Sequence, residues 1–211
     1  MVMTAYQRRS PVSFQAQPLK TVTRDDWTVV LEYEDQGDGP WLIDLSHRSR
    51  FDIQDGNIDK TKPWGISIPR IPGQSVFEKG MLINRMNRNQ ISTWHLGEHK
   101  QDNLEISGCT DVTESTLLLA LMGEGTFLIL EKLTAMDLLD PNKTTPFLSQ
   151  GPLSRVPCQV VVIERSDEQP AVLWTCSRGY GHDMVHTVMQ AGQELGIRVA
   201  GENVIRGQIP V

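Results

Sequence analysis

Positive charge is what this sequence is short of: 20 Lys and Arg stand against 26 Asp and Glu, a formal net charge of −6. The deficit is uneven, with 13 basic against 14 acidic residues over positions 1–110 and 7 against 12 over 111–211. A nucleic-acid partner needs a net basic face, so none is expected. Cysteine is scarce too. Cys109, Cys158 and Cys176 are odd in number, widely spaced and without a C-x-x-C pair, which argues against a disulfide framework and a zinc ribbon. No apolar run is long enough to span a bilayer, so no membrane partner is expected. No apolar signal core follows Arg8 and Arg9, and the default reading is a cytoplasmic chain. What remains, 39% apolar and 22% charged over 211 residues, suits a globular protein with room for a real core.

The most foldable stretch runs from Asp111 to Leu138. Leu117–Met122 is a continuous apolar run of the length of a fully buried strand, and Phe127, Leu128, Leu130 and Leu133 then recur at helical spacing. A strand feeding a helix through Gly123 and Gly125 folds that helix back onto its own sheet. Around this unit, residues 1–24 read as an extended arm and 25–211 as the folded domain. Trp27–Tyr33 is a first strand, and Trp41–Gln54 a second in two parts with Ser46-His47-Arg48 between them. The stretch 55–74 holds Pro63, Pro69 and Pro72, which leaves no room for a useful helix. Met81–Met86 and Ile91–Leu96 flank turn residues and form a hairpin, and Leu104–Cys109 is a further short strand. Val156–Ile163 with Ala171–Cys176 is the clearest hairpin, and His182–Leu195 the second helix, with Met184, Val185, Val188, Met189, Gly192 and Leu195 inward. This order implies α+β, with an antiparallel sheet covered on one side.

Each candidate site carries two readings. Gly123-Glu-Gly-Thr126 opens a helix as a phosphate loop does, but it lacks the following Lys and hydroxyl, and a tight turn explains it. His182 and His186 have the i, i+4 spacing of a zinc pair, yet no third ligand is evident and a surface pair accounts for them. Asp44, Ser46 and His47 supply the residue types of a nucleophilic triad without a G-x-S-x-G elbow. Cys109 is either a reactive thiol or a small buried hydrophobe. Arg48, Arg50, Arg70, Arg85 and Arg88 either gather into a local basic patch or are solvated singly. Arg178-Gly-Tyr180-Gly allows close backbone approach, with Arg and Tyr to hold a carboxylate or stack on a ring; the alternative is a structural turn into the helix.

Three stretches together, LIDLSHRSRFDIQ, GEGTFLILEKLTAMDL, and QGPLSRVPCQVVVI with RGYGHDMVHTVMQAGQELGIRVAG, resemble the folate-binding aminomethyltransferases of the glycine cleavage T-protein type. With RRSPV and the Trp27 strand added, the chain is most similar to the sarcosine oxidase gamma-subunit type, and the resemblance covers most of residues 8–201. It implies a duplicated folate-binding-type α/β fold, with antiparallel sheets covered by helices and without the C-terminal barrel domain of the full enzymes. It implies tetrahydrofolate as the cofactor and larger subunits of an oxidoreductase or one-carbon-transfer complex as partners. Where T-proteins carry a paired acidic motif this chain reads RNQISTWHLG, with Asn89 and Gln90 in its place. An amide cannot take up a proton or carry the stabilising charge, so no catalytic residue is assigned. Asn89, Arg178 and Tyr180 remain as candidate cofactor-binding residues, Arg206 is an imperfect stand-in for the Ala-Arg-Asp of that family, and the first family helix is replaced by the loop 55–74. The expectation is a non-catalytic subunit, with a tetrahydrofolate-dependent aminomethyltransferase as the alternative.

Overall fold

The computed structural model describes residues 7–97 and 106–207. In chain order these form β1 (Pro18–Arg24), β2 (Trp27–Tyr33), β3 (Trp41–Asp44), β4 (Arg50–Gln54), β5 (Ser75–Glu78), β6 (Met81–Asn87) and β7 (Gln90–His95). After these come β8 (Cys109–Asp111), β9 (Thr116–Met122), α1 (Thr126–Glu131), β10 (Phe147–Leu153), β11 (Val156–Glu164), β12 (Ala171–Ser177), α2 (Gly181–Gly192) and β13 (Arg198–Ala200). β1 and β2 pair as a ribbon, while the other strands make a six-stranded sheet ordered β10-β11-β12-β9-β3-β13 and a five-stranded sheet ordered β5-β6-β7-β4-β8. All pairings are antiparallel except β3 with β13. The α+β class stands. Among the described residues no helix is long and apolar enough to cross a membrane.

The expected single covered face is in fact two. Odd positions of β9, Leu117, Leu119 and Leu121, pack with Val160, Val172 and Trp174 beneath Ile129, Met184 and Val188 of the helices. Even positions, Leu118, Ala120 and Met122, meet Leu82, Trp94 and Leu96 of the other sheet. A period of two delivers alternate residues to opposite faces, so a run apolar throughout has to be covered on both. The outer face of the five-stranded sheet presents Ile53, Met81, Ile83 and Ile91, and Ile58 and Ile66 of the segment 55–74 close it. That segment contains only two short 3-10 turns, as its prolines imply. Burying an Ile side chain stabilises by about 1.5–3 kcal/mol, which is enough to pin an irregular chain on a sheet.

Several boundaries differ from expectation, for local reasons. β3 and β4, read as two parts of one strand, belong to different sheets. β5 and β10 have no counterpart in the sequence reading: β10 turns into β11 through Ser154 (φ 48°) and Arg155 (φ 71°), a two-residue turn without the usual Asn-Gly. α1 spans six residues and buries Thr126, Ile129 and Leu130, whereas Leu128, expected inside, is 56% exposed. Of the strand expected at Leu104–Cys109, positions 104 and 105 lie outside the described residues, and β8 begins at Cys109.

Residues 7–17 run along the domain before β1. Arg8 bridges to Trp27, Val12 is buried in the helix-side core, and the Phe14 ring meets Tyr33 edge-on at 5.9 Å. A Cβ at Gly181 would lie 2.2 Å from the Pro11 carbonyl oxygen. Gly181→Ala, though favourable for a helix by propensity, is therefore expected to lift this segment and lower stability by about 1–3 kcal/mol. Chemical denaturation measures the loss, and amide exchange at Val12 should quicken; an alanine variant more stable than wild type would rule out the close approach.

Candidate functional site

The chain crosses between sheets at Asp44–Arg50, and buried polar side chains gather there. Asp44 Oδ1 accepts the Ser46 N–H at 2.9 Å, the short-range bond by which Asp turns a chain. Leu45 N–H donates to Leu118 O at 2.9 Å and Ser46 Oγ accepts from Leu118 N–H at 3.2 Å, so the turn stays bonded to β9. Arg50, 1% exposed, then spends its guanidinium on five acceptors. Nε donates to Thr116 Oγ1 (2.9 Å), Nη1 to Ser46 O (3.2 Å) and Arg48 O (2.6 Å), and Nη2 to Thr116 O (3.0 Å) and Thr113 O. Burial lowers its pKa to about 10, with the negative charges of Asp44 and Asp111 opposing the shift, so it remains charged at neutral pH.

Glu202 approaches from the chain end of the fold. A Cβ at Gly201 would lie 2.2 Å from the Leu31 carbonyl carbon, so the chain passes β2 at a separation only glycine allows and brings the next side chain to Arg24. Arg24 Nη1 donates to both Glu202 oxygens at 3.0 and 2.9 Å, His47 Nε2 lies 2.8 Å from Oε1, and Arg48 Nη2 pairs with the same oxygen. A carboxylate can only accept, so His47 carries its proton on Nε2. Burial lowers the His47 pKa, with the hydrogen bond to Glu202 pulling the other way. Burial alone would raise Glu202; the His47 bond and the charges of His47, Arg48 and Arg24 together outweigh it and hold the carboxyl at about 2. Glu202 is a fixed anion, unsuited to proton transfer near neutrality.

Asp44 borders a different space. A cavity of about 110 Å³ lies between residues 10–14, β2 and β3, lined by Ser10, Phe14, Trp27, Tyr33, Asp44 and His47 among others. Ser10 Oγ donates to Asp44 Oδ2 at 2.5 Å. Burial, then the charge of Asp44, pushes the Tyr33 hydroxyl up to about 12, so it stays protonated. The side chains of Asp44, Ser46 and His47 do not form a relay: Ser46 Oγ accepts from Leu118 N–H, His47 Nε2 bonds Glu202, and Asp44 is held by Ser10 Oγ and the Ser46 N–H.

The residues singled out in the sequence are dispersed. Asn89 sits exposed in the β6–β7 turn next to Gln90, which pairs with Gln54 at the far end of β4. Arg178 and Tyr180 lie at the other end, where Arg178 N–H bonds Ser115 O beside Arg50's own partner Thr116. Four residue steps of β4, roughly 13 Å, separate the two places. Arg178 is turned onto Arg9 O, and Tyr180 is 43% exposed. His182 and His186 are exposed on α2, and among the described residues no group of three His, Cys, Asp or Glu is placed to hold a metal. Thr126 at the mouth of the glycine turn is fully buried and bonds Gly123 O, a closed turn rather than an open cradle. Burial raises the Cys109 thiol, helped by Asp111 and Asp52, so it is not activated. The basic patch does not form: Arg48, Arg50 and Arg85 are buried while Arg70 and Arg88 are exposed. The side chain of Arg206 lies outside the described residues. The sequence reading named Arg50 only as a member of a possible basic patch, and it missed Glu202. Their signal was charge flanked by core residues, as in Arg50-Phe-Asp-Ile and Ala-Gly-Glu202.

No family model matches the sequence, and no curated protein matches it. Solved structures do. The chain superposes on a chain of the heterotetrameric sarcosine oxidase from Corynebacterium sp. U-96, solved in complex with pyrrole 2-carboxylate, with a TM-score of 0.59 and 13% identity over 74% of this chain and 87% of that one. It superposes on the glycine cleavage system aminomethyltransferase T from Bartonella henselae with a TM-score of 0.59 and 12% identity over 87% of this chain, and spans 56% of that chain. The chain thus shares a fold with these two structures, which are of the kinds that the resemblance named.

Two outcomes follow from the charge cluster. Glu202→Gln leaves two guanidinium groups against a neutral amide, and about 3–5 kcal/mol of stability should go at neutral pH. Because the folded pKa of about 2 lies below the usual 4.5, the carboxylate's contribution is complete above about 4.5 and is lost as pH falls towards 2, on the order of 3 kcal/mol in all. Urea unfolding of both proteins across this range should show the gap narrowing with acid; parallel profiles would refute the assignment. Arg50→Lys offers three donors where five acceptors wait, and a loss of about 2–4 kcal/mol should appear as a lowered melting temperature.

Proposed function

We propose that this chain is a non-catalytic subunit of the sarcosine oxidase gamma type, working within a larger amine-oxidising or one-carbon-transferring complex. The observation that carries this reading is the fold match to a chain of comparable length that belongs to a heterotetramer. Further support comes from the chemistry. Asn89 and Gln90 occupy the place of the family's paired acids, Asn89 is exposed in a turn remote from Arg178 and Tyr180, and the buried Glu202 is committed to two arginines. The two larger sheets then represent the halves of a duplicated unit, of which, among the described residues, the six-stranded one alone carries α-helices. The partners are larger subunits bearing the flavin or the one-carbon chemistry, and the place is the cytoplasm.

A second reading is favoured by the match to the aminomethyltransferase over 87% of this chain: an enzyme that moves a one-carbon unit to tetrahydrofolate. Affinity purification of the tagged chain from its native cell separates the two. The first expects larger, flavin-bearing companions in fixed stoichiometry, and a lone monomer would count against it. Calorimetry with tetrahydrofolate tests the second, for which Asn89→Asp should also change activity; no heat at about millimolar ligand, a free energy of only about 4 kcal/mol, would remove it.

A further inference from the structure

Two of the three cysteines, which nothing above uses, meet in the helix-side core. Cys158 of β11 and Cys176 of β12 both belong to that core, and both thiols are free. The pairing of these antiparallel strands runs through Val160 with Trp174 and Gln159 with Thr175, so one step further places Cys158 directly opposite Cys176. Directly opposed residues share a face, and their Cα atoms stand about 4.5 or about 5.5 Å apart according to the kind of antiparallel pair they make. A disulfide spans Cα separations of roughly 4.4–6.8 Å, so the backbone can accept one here without moving. No side chain intervenes, because the two thiols hydrogen-bond each other. The pair sits at the end of the hairpin away from the connection 165–170, beside the exposed Pro157 and Ser177. Cys158 and Cys176 themselves keep 6% and 4% exposure.

The two thiols are unequal. The bond to Cys176 lowers the Cys158 pKa and, with help from the Leu153 backbone, outweighs burial; the same bond, then burial, pushes Cys176 up. The thiolate is the attacking form, so Cys158 reacts first and Cys176 second. Cys109 stands apart in the other sheet, with its thiol raised by burial. We infer that Cys158 and Cys176 are a site of oxidative modification, a dithiol that hydrogen peroxide converts to a disulfide bracing β11 against β12. The Cys158 sulfur attacks one peroxide oxygen, the O–O bond breaks, and the departing hydroxide takes up the Cys158 proton as water, leaving a sulfenic acid. The Cys176 sulfur then attacks that sulfur; the S–S bond forms, the S–O bond breaks, and hydroxide leaves as water with the Cys176 proton. Together the thiols lose two electrons and two hydrogens, and one peroxide becomes two waters. The burial of both residues favours an oxidant near the size of water over a bulky disulfide.

The test treats the reduced, purified full chain with equimolar hydrogen peroxide, blocks the remaining thiols with iodoacetamide in urea, and digests with trypsin. Cleavage after Arg155, Arg165 and Arg178 leaves Cys158 and Cys176 on separate peptides, 156–165 and 166–178, with Cys109 on a third. Mass spectrometry should find the first two joined, lighter than their sum by two hydrogens and parted by dithiothreitol. Cys109 should lose its thiol at least about tenfold more slowly. In Cys176→Ser the second step is blocked, and dimedone should trap the sulfenic acid on Cys158; in Cys158→Ser, trapping on Cys176 should be at least about tenfold slower. The wild-type protein decides the inference without either variant. No joined peptide from the folded chain would overturn it, as would one that forms equally fast in urea, or a bond from either cysteine to Cys109. Equal trapping in the two folded variants would overturn the order of attack.

Discussion

Five oxygens, from Ser46, Arg48, Thr113 and Thr116, surround the Arg50 guanidinium at the point where the chain passes from one sheet to the other. A strand that leaves its sheet abandons a ladder of hydrogen bonds, and the carbonyls it exposes to the interior need donors. Water cannot reach them here, with Leu45 and Ser46 essentially unexposed. One planar fork supplies all the donors at once, and it ties the β3–β4 crossing to the segment that enters β9. It adds to the bonds of Leu45 and Ser46 with Leu118, which also hold the crossing to β9.

The second buried charge cluster has a different origin. Glu202 arrives through a glycine contact with β2, and its partners Arg24, His47 and Arg48 come from the ribbon and the crossing. It therefore joins the ribbon, the sheet crossing and the turn after β13 by ionic bonds rather than by a continuous apolar layer. Buried ion pairs add little net stability over well-packed hydrophobes, because desolvation cancels much of the Coulomb gain. What they add is geometric demand: removing any one member strands the others. An interior polar network of this kind is structural by its own chemistry, since a carboxyl held ionised down to about pH 2 has no proton to exchange at neutrality.

How much of this was legible follows from which forces leave a pattern. Leu117–Met122, the Val156–Glu164 and Ala171–Ser177 hairpin and α2 were readable because burial repeats with a period of two or 3.6. β5 and β10 were not, because Lys79, Ser154 and Arg155 reach positive φ without being the residue types that usually announce it. The fate of each arginine was hidden for a stricter reason. Arg50 and Arg88 are the same residue type at strand and turn, and only tertiary contacts decide that one is enclosed by carbonyls and the other faces solvent. The fold could be reached through the resemblance, whereas Glu202 and the Asp44 cavity needed coordinates, because their members are joined across 178 and 34 positions of sequence.

The same separation explains why the candidate residues from the resemblance and the polar sites of the structure do not coincide. Asn89 belongs to the five-stranded sheet, whose outer face is covered by the irregular segment 55–74 and whose Arg85 is bonded to Asp59 of that segment at 2.8 Å. Arg178 and Tyr180 belong to the turn between β12 and α2, on the other sheet. The sheets meet through Leu82, Trp94, Leu118 and Leu173, a dry layer with no need of a ligand to complete it. A large planar cofactor between them would have to displace these side chains, each costing about 2–5 kcal/mol to remove from a packed core. The room for polar chemistry lies instead where residues 7–17 cross the helix-bearing face, because an extended segment laid over a sheet cannot fill every gap as a helix does. There a cavity of about 110 Å³ is bordered by Ser10, Phe14, Tyr33 and Asp44 among others.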